Sequence, residues 1–166
     1  MSAKKEIMEL VESNSASLDE IVDSICEPYL KGLNDYIANL KNIASDDKYT
    51  ELSSSELSQA LIIVSGSLYS LVNSINKVAL RQAVATAIKT EEYAKHYNSP
   101  DNEGTIQAKS NRATIAVTDN TLIETIYKNC YNKLKSSYEA GDSVYSGLKK
   151  IASMKVAEAN LTNMQR

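Results

Sequence analysis

The sequence of 166 residues contains no Phe and no Trp, and it has only 5 Gly and 2 Pro. Sheet-rich sandwiches and barrels need turn residues about every 8–12 positions, so this scarcity disfavours them and favours helices. Because Tyr supplies every large ring, each ring carries a hydroxyl that needs a hydrogen-bond partner or water. With 43% hydrophobic and 23% charged residues, the chain is expected to fold rather than remain disordered.

Groups for catalysis and metal binding are also scarce. The single histidine, His96, and two distant cysteines, Cys26 and Cys130, exclude most zinc clusters and CxxC redox motifs. Glu92 lies one helical turn before His96, but two ligands do not make a metal site, and a solvated pair is the favoured interpretation. The glycine-rich nucleotide motifs and the GxSxG motif of hydrolases are missing. We therefore expect no enzymatic activity, no catalytic residue, no metal and no cofactor.

Long hydrophobic runs are missing as well. The longest one, Ala60–Val64, is too short to cross a bilayer, and the first residues lack the apolar run of a signal peptide. We expect a cytoplasmic protein with no membrane partner, in which both cysteines are reduced.

Hydrophobic spacing predicts an all-α fold, in which long amphipathic helices form a hairpin or bundle with coiled-coil-like seams. The first helix is predicted from Leu18 to Ala44, with a capping box formed by Ser17 and Glu20 at its start. Pro28 predicts a kink near residues 24–28 or a break into two helices.

The second helix is predicted from the serine cluster at 53–56 to about Asn98. A strict heptad seam runs along it through Leu57, Leu61, Val64, Leu68, Leu71, Ile75 and Val78. Turn-forming residues at 98–104 predict a loop, and residues 105–117 are weakly helical. Thr121 and Glu124 either mark a new helix start or belong to a polar turn of one continuing helix.

The last helix repeats the heptad spacing with tyrosines. Its seam is formed by Tyr127, Tyr131, Leu134, Tyr138, Gly141, Tyr145, Leu148 and Ala152. One interpretation is a bundle core whose tyrosine hydroxyls reach the rim, and the other is an aromatic ladder for stacking bases or docking a partner. Gly141 would permit close helix approach or a local bend. We predict that an oligomer interface includes Tyr127, Tyr131, Leu134, Tyr138, Tyr145 and Leu148.

Charge is divided unevenly along the chain. Residues 1–60 carry 12 acidic and 5 basic side chains, whereas residues 61–166 carry 13 basic and 9 acidic ones. We predict an acidic N-terminal helical region at residues 1–50 and a long-helix core at residues 51–166. The core would carry the basic face and the loop at 98–104.

Basic side chains beside aromatic rings suit single-stranded nucleic acid, because phosphates attract the cations and every base has a face to stack. The candidate DNA-binding residues are Lys77, Arg81, Lys89, Lys95, Lys109 and Arg112, with Tyr93 and Tyr97 as stacking rings. Lysines on exposed helix faces are commonly only solvated, so the residues alone leave both interpretations open.

Two segments resemble a known family. Residues 76–83 read Asn-Lys-Val-Ala-Leu-Arg-Gln-Ala, and residues 148–159 read Leu-Lys-Lys-Ile-Ala-Ser-Met-Lys-Val-Ala-Glu-Ala. With the tyrosine-bearing stretch before the loop and the Lys/Arg-bearing helix after it, they resemble phage recombination mediator proteins of the UvsY type over about residues 57–162. The family's DNA contacts come from basic residues on the matching helix, which fall here on Lys77 and Arg81.

The resemblance implies a small helical protein that binds single-stranded DNA and assembles into ring-like homo-oligomers in the host cell cytoplasm. Such a protein helps to load the phage recombinase onto strands coated by single-strand-binding protein. The alternative is a non-catalytic helical interaction module, such as a phage inhibitor of a host factor or a structural coiled-coil subunit. That module would act through the acidic helix from Leu18 to Ala44.

Overall fold

The computed structural model describes residues 17–45 and 52–164. These residues form four helices: α1 (Leu18–Ser45), α2 (Ser54–Tyr97), α3 (Ile106–Ala116) and α4 (Thr118–Met164). The described ranges contain no strand, so the predicted all-α helical bundle is confirmed.

The first two helices begin with the capping pattern that the sequence contains. Before α1, the Ser17 backbone N–H donates to Glu20 Oε2 at 2.8 Å, and the Glu20 N–H donates to Ser17 Oγ at 3.3 Å. Before α2, Ser53 and Glu56 make the same reciprocal bonds, at 2.7 and 3.2 Å. These bonds satisfy backbone donors that have no partner within the helix, and so they fix where each helix begins.

Helix α1 continues through Pro28, so the predicted break into two helices does not occur. Proline lacks the N–H that would bond the carbonyl of Ser24, four residues earlier. Both Ser24 and Pro28 are exposed, so water can bond that carbonyl. The helix therefore continues without leaving a buried polar group unsatisfied.

The loop between α2 and α3 lies where the turn residues predict it, and α4 begins at Thr118. Val117 separates α3 from α4 and ends α3 by donating its N–H to the Thr114 carbonyl at 3.3 Å. A new helix therefore begins in this polar segment, but Thr121 and Glu124 lie inside it and do not form a capping box.

The chain divides into two compact units, which we call the loop unit and the glycine unit. The loop unit contains the described residues up to Cys26 together with Ile75–Lys133. Its buried apolar side chains come from all four helices: Ile21, Val22, Cys26, Val78, Ala85, Ala113, Val117, Ile123, Ile126, Tyr127 and Cys130. An ion pair between Asp23 and Lys133 also joins α1 to α4 in this unit.

The glycine unit consists of the described parts of Glu27–Ser74 and Leu134–Arg166. Its buried apolar residues are Leu30, Leu33, Leu40, Leu57, Ala60, Val64, Leu68, Leu71, Leu134 and Leu148. Gly141 of α4 packs against leucines of α1 and α2 so closely that a Cβ atom there would lie 2.8 Å from Leu68 Cδ2 and 3.1 Å from Leu33 Cδ2. Gly141 therefore permits close helix approach.

The units do not follow the predicted boundary near residue 50. Helix α1 supplies Cys26 to the core of the loop unit and Leu30 and Leu33 to the core of the glycine unit. The acidic residues of α1 lie on its exposed face, and the division at residue 50 stays a prediction.

Candidate nucleic-acid interface

The candidate site begins with a long stretch of α2 that carries no acidic side chain. Between residues 57 and 90 the only charged residues are Lys77, Arg81 and Lys89. Lys77 and Arg81 are exposed and lie one helical turn apart, so they share one side of the helix. Neither makes an ion pair with another described residue.

The same side of α2 exposes apolar side chains beside these two cations. Val78 and Ala85 are buried and fix the inward face of the helix, whereas Leu80 and Val84 are 67% and 50% exposed. Lys77 and Arg81 thus border an exposed apolar strip. Cations and apolar groups side by side can contact the phosphates and the bases of one strand.

Lys89 does not belong to this exposed surface. It lies at the position where the heptad seam of α2 continues past Val78, and its ammonium pairs with Glu124 of α4. Thr86 Oγ1 donates to the other oxygen of Glu124 at 2.6 Å. The hydrogen bonds from Lys89 and Thr86 lower the pKa of the Glu124 carboxyl below its ordinary value. Lys89 is therefore paired with a carboxylate within the chain, and its contact with phosphate stays a prediction.

Tyr93 and Tyr97 stack on each other at the end of α2. Their ring centroids lie 6.1 Å apart with an angle of 17° between the planes. The Tyr93 hydroxyl also lies within hydrogen-bond distance, 3.1 Å, of Ser110 Oγ in α3. Both rings are half-buried, so this pair joins α2 to the helix that follows the loop and is only partly available to a base.

The loop between α2 and α3 is held by Asn102, a residue that the sequence analysis did not single out. Its buried amide Nδ2 donates to the carbonyls of His96, Tyr97 and Lys109 at 3.0, 3.2 and 3.3 Å. These bonds connect the end of α2 with α3. An Asn among turn residues was the only signal in the sequence, and it does not specify distant acceptors.

Most of the other predicted DNA contacts are engaged within the loop unit. Arg112 donates to the carbonyl of Glu103, beside Gly104, whose φ of +120° suits glycine. Lys109 is half-buried. Lys95 is exposed, but its ammonium lies 3.8 Å from Glu92. Lys77 and Arg81 are therefore the exposed cations of the predicted set whose side chains make neither an ion pair nor a hydrogen bond with another described residue.

Three of the six predicted oligomer-interface residues lie inside the chain's own core. Tyr127, Leu134 and Leu148 are buried, with at most 4% of each residue exposed. They are therefore not available to a second copy. Tyr131, Tyr138 and Tyr145 are half-buried, and the Lys149 ammonium lies 5.6 Å from the ring centroid of Tyr145. The bundle-core interpretation of the tyrosine seam describes these positions better than the ladder interpretation.

Two further properties of the described residues concern metal binding and membrane crossing. Residues 17–45 and 52–164 contain no group of three or more His, Cys, Asp or Glu side chains that could hold a metal ion. By length and composition alone α2 is apolar enough to cross a membrane, a criterion that core helices of soluble proteins also meet.

Comparison with known proteins adds no relative. No protein-family model, no curated protein and no solved structure matches this chain.

Proposed function

We propose that this chain is a non-catalytic single-stranded DNA-binding protein that acts as a homo-oligomer and assists a phage recombinase. The resemblance of residues 57–162 to UvsY-type mediators supplies the biological role. Under this proposal the partners are single-stranded DNA, the recombinase and single-strand-binding protein, and the protein acts in the host cytoplasm.

The observation that carries the proposal is the exposure of Lys77 and Arg81 on a helix that has no acidic residue between positions 57 and 90. Cations without a nearby carboxylate retain their attraction for phosphate. Binding releases counterions from the DNA, which makes the affinity strongly dependent on salt. The exposed side chain of Leu80 between them offers an apolar surface to a base.

Two cations per chain give weak binding, and so the proposal requires several copies on one strand. When copies associate, the second and later contacts become intramolecular, and the overall affinity rises without any new kind of contact. Self-association also explains how a chain with a net charge of −3 could bind DNA, since it would gather basic surfaces from several copies.

The experiment is a titration of a labelled 30-nucleotide oligo(dT) with the full chain at low salt. We expect the double variant Lys77→Glu with Arg81→Glu to bind at least about tenfold more weakly, because two attractive contacts become repulsive. The matched control is Lys31→Glu with Lys150→Glu, which makes the same change in net charge at exposed positions of the glycine unit.

The control variant should bind nearly as well as the unmodified protein. Equal weakening by both double variants would show that only net charge matters, and unchanged binding by the Lys77 and Arg81 variant would remove the proposed site. Circular dichroism of each variant confirms that the helices are retained.

A second candidate function rests on the exposed acidic face of α1. Asp19, Glu20, Glu27 and Asp35 are all exposed, and this face could dock on a basic partner protein. Removing residues 1–50 would not test the idea, because α1 also supplies the buried Leu30 and Leu33. The suitable variant is Glu27→Lys with Asp35→Lys: loss of DNA-independent binding to a basic partner, with DNA binding retained, would favour this function.

A further inference from the structure

The first half of α2 exposes large apolar side chains on the side that faces away from its core. Ile62 and Tyr69 are 72% and 74% exposed and lie seven residues apart, so they project from the same side of the helix. Ile63 and Val72 are also exposed, at 37% and 36%. Exposed apolar side chains grouped along one stretch of helix mark a contact site more often than isolated residues do.

This part of the helix also carries no charge. Residues 57–76 contain no Asp, Glu, Lys or Arg, although 23% of the whole chain is charged. A partner with a charged surface would lose the solvation of its charges here without gaining an ion pair. The surface therefore fits a partner that is itself uncharged and apolar.

The surface has a shape that can pair with a copy of itself. Gly66 lies between Ile62 and Tyr69, and a Cβ atom placed there would meet no other atom within 4 Å. Gly66 thus leaves an open notch between two projecting side chains. In an antiparallel two-fold pair, Tyr69 of each copy can enter the Gly66 notch of the other, which is the reciprocal arrangement that an isologous interface requires.

A lipid surface fits these residues less well. Ser70 and Asn73 are exposed on α2 among the apolar residues, and their polar side chains need hydrogen-bond partners that hydrocarbon cannot supply. The 20 uncharged positions also offer no Lys or Arg to attract anionic headgroups.

We infer that a second copy of this chain docks on the α2 patch, defined as Ile62, Gly66 and Tyr69 with Ile63 and Val72 beside them. The inference rests on the self-association that the proposed function includes, and it assigns one pairwise contact of that association to α2. Twenty helical residues form a strip about 30 Å long and 10–12 Å wide. This is smaller than the roughly 800 Å² per partner of a standard interface, so we expect a weak association that requires a high protein concentration.

Sedimentation equilibrium of the full chain from about 5 to 500 µM tests the inference. The unmodified chain should associate as its concentration rises. The double variant Ile62→Glu with Tyr69→Glu should raise the dissociation constant at least about tenfold, since it places like charges on both sides of the interface. The matched control is Ile106→Glu with Ile115→Glu, because these isoleucines are 78% and 72% exposed on α3.

Gly66→Leu provides a variant that leaves the fold intact. A Cβ atom at this position meets no atom of another described segment within 4 Å, and the longer leucine side chain fills the notch that receives Tyr69. We expect unchanged or higher thermal stability together with a dissociation constant raised at least about tenfold.

The inference is overturned if the unmodified chain stays monomeric over the whole range, or if both patch variants associate as strongly as the unmodified chain. It is also overturned if the chain stays monomeric and binds phosphatidylcholine and phosphatidylglycerol vesicles through the patch. Oligo(dT) binding by the same samples separates the two proposals. Association without DNA binding contradicts only the DNA site, whereas DNA binding by a permanent monomer contradicts the α2 patch and the self-association but leaves the DNA site intact.

Discussion

Each of the two compact units is stabilised internally by a different kind of contact. In the glycine unit, Leu33 and Leu68 pack against the bare backbone of Gly141, and the buried apolar residues are mostly leucines. In the loop unit, a buried Asn102 joins backbone carbonyls, and ion pairs connect Lys89 with Glu124 and Asp23 with Lys133. The glycine unit therefore depends on close packing, and the loop unit also depends on the correct placement of polar groups.

The two units also differ in the residues that they expose to solvent. All eight candidate DNA-binding residues lie in the loop unit, whereas Ile62, Gly66 and Tyr69 lie in the glycine unit. One unit thus exposes unpaired cations and the other exposes an uncharged apolar patch. Because the two surfaces share no residue, substitutions can weaken one and leave the other intact.

The largest expected effect tests the close packing in the glycine unit. Gly141→Leu places a side chain where even a Cβ atom would lie 2.8 Å from Leu68 Cδ2. Since Leu33 and Leu68 are buried and cannot move freely, we expect the free energy of unfolding to fall by about 3 kcal/mol. Urea unfolding followed by circular dichroism measures this change.

Gly147→Leu is the matched control for the packing test. It lies on the same helix, but a Cβ atom there meets nothing within 4 Å. We expect it to stabilise the chain by about 0.5–1 kcal/mol, because leucine favours the helix more than glycine does. Equal destabilisation by both substitutions would show that helix α4 does not pack at Gly141 as described.

An intermediate effect tests the polar network of the loop unit. Asn102→Ala removes the donor shared by the carbonyls of His96, Tyr97 and Lys109, and we expect a loss of about 1–3 kcal/mol in unfolding free energy. Asn111→Ala is the control, because Asn111 is exposed and bonds only to Gln107 in its own helix. The control should cost less than about 0.5 kcal/mol. Similar losses for both would contradict the role given to Asn102.

The smallest effect tests the ion pair between Lys89 and Glu124. Hydrogen bonds from Lys89 and Thr86 lower the pKa of Glu124 in the folded chain below its ordinary 4.5. The ionised carboxylate therefore favours folding above that ordinary value, and the stabilisation is lost as pH falls through the lowered pKa. Glu124→Gln should cost about 0.5 kcal/mol at pH 7, because the pair is partly exposed.

Unfolding measured at pH 7 and pH 3 checks this prediction. The difference between Glu124→Gln and the unmodified chain should shrink at the lower pH. A difference that is constant with pH would mean that the carboxylate charge does not contribute to stability.

The sequence predicted the helices well, because the hydrophobic period and the capping residues are local signals. Residues Ser17 and Ser53 mark the starts of α1 and α2, and the heptad positions Leu57 and Val64 are buried. The heptad seam of α2 also indicated where Lys89 lies on the helix. Extended past Val78 by the same spacing, it reaches Lys89, which places that lysine on the inward side.

The features that the sequence did not predict depend on contacts between residues that are distant in the chain. Lys89 meets Glu124 across 35 positions, and Gly141 meets leucines on two other helices, so no local pattern identifies these partners. Of the two effects predicted for Pro28, the break into two helices does not occur, because the unbonded carbonyl of Ser24 is exposed to water. The heptad seam includes Val64 and leaves out Ile62, but the sequence does not show whether another segment covers Ile62, which is 72% exposed.

The central claim is that Lys77 and Arg81 contact phosphates, and the salt dependence of DNA binding tests it most directly. Each phosphate contact on a single strand contributes a slope of about −0.7 to the logarithm of affinity against the logarithm of salt concentration. For the double variant Lys77→Gln with Arg81→Gln, we predict a slope less negative by about 1.4 for each copy bound. A variant slope equal to that of the unmodified chain would contradict the claim.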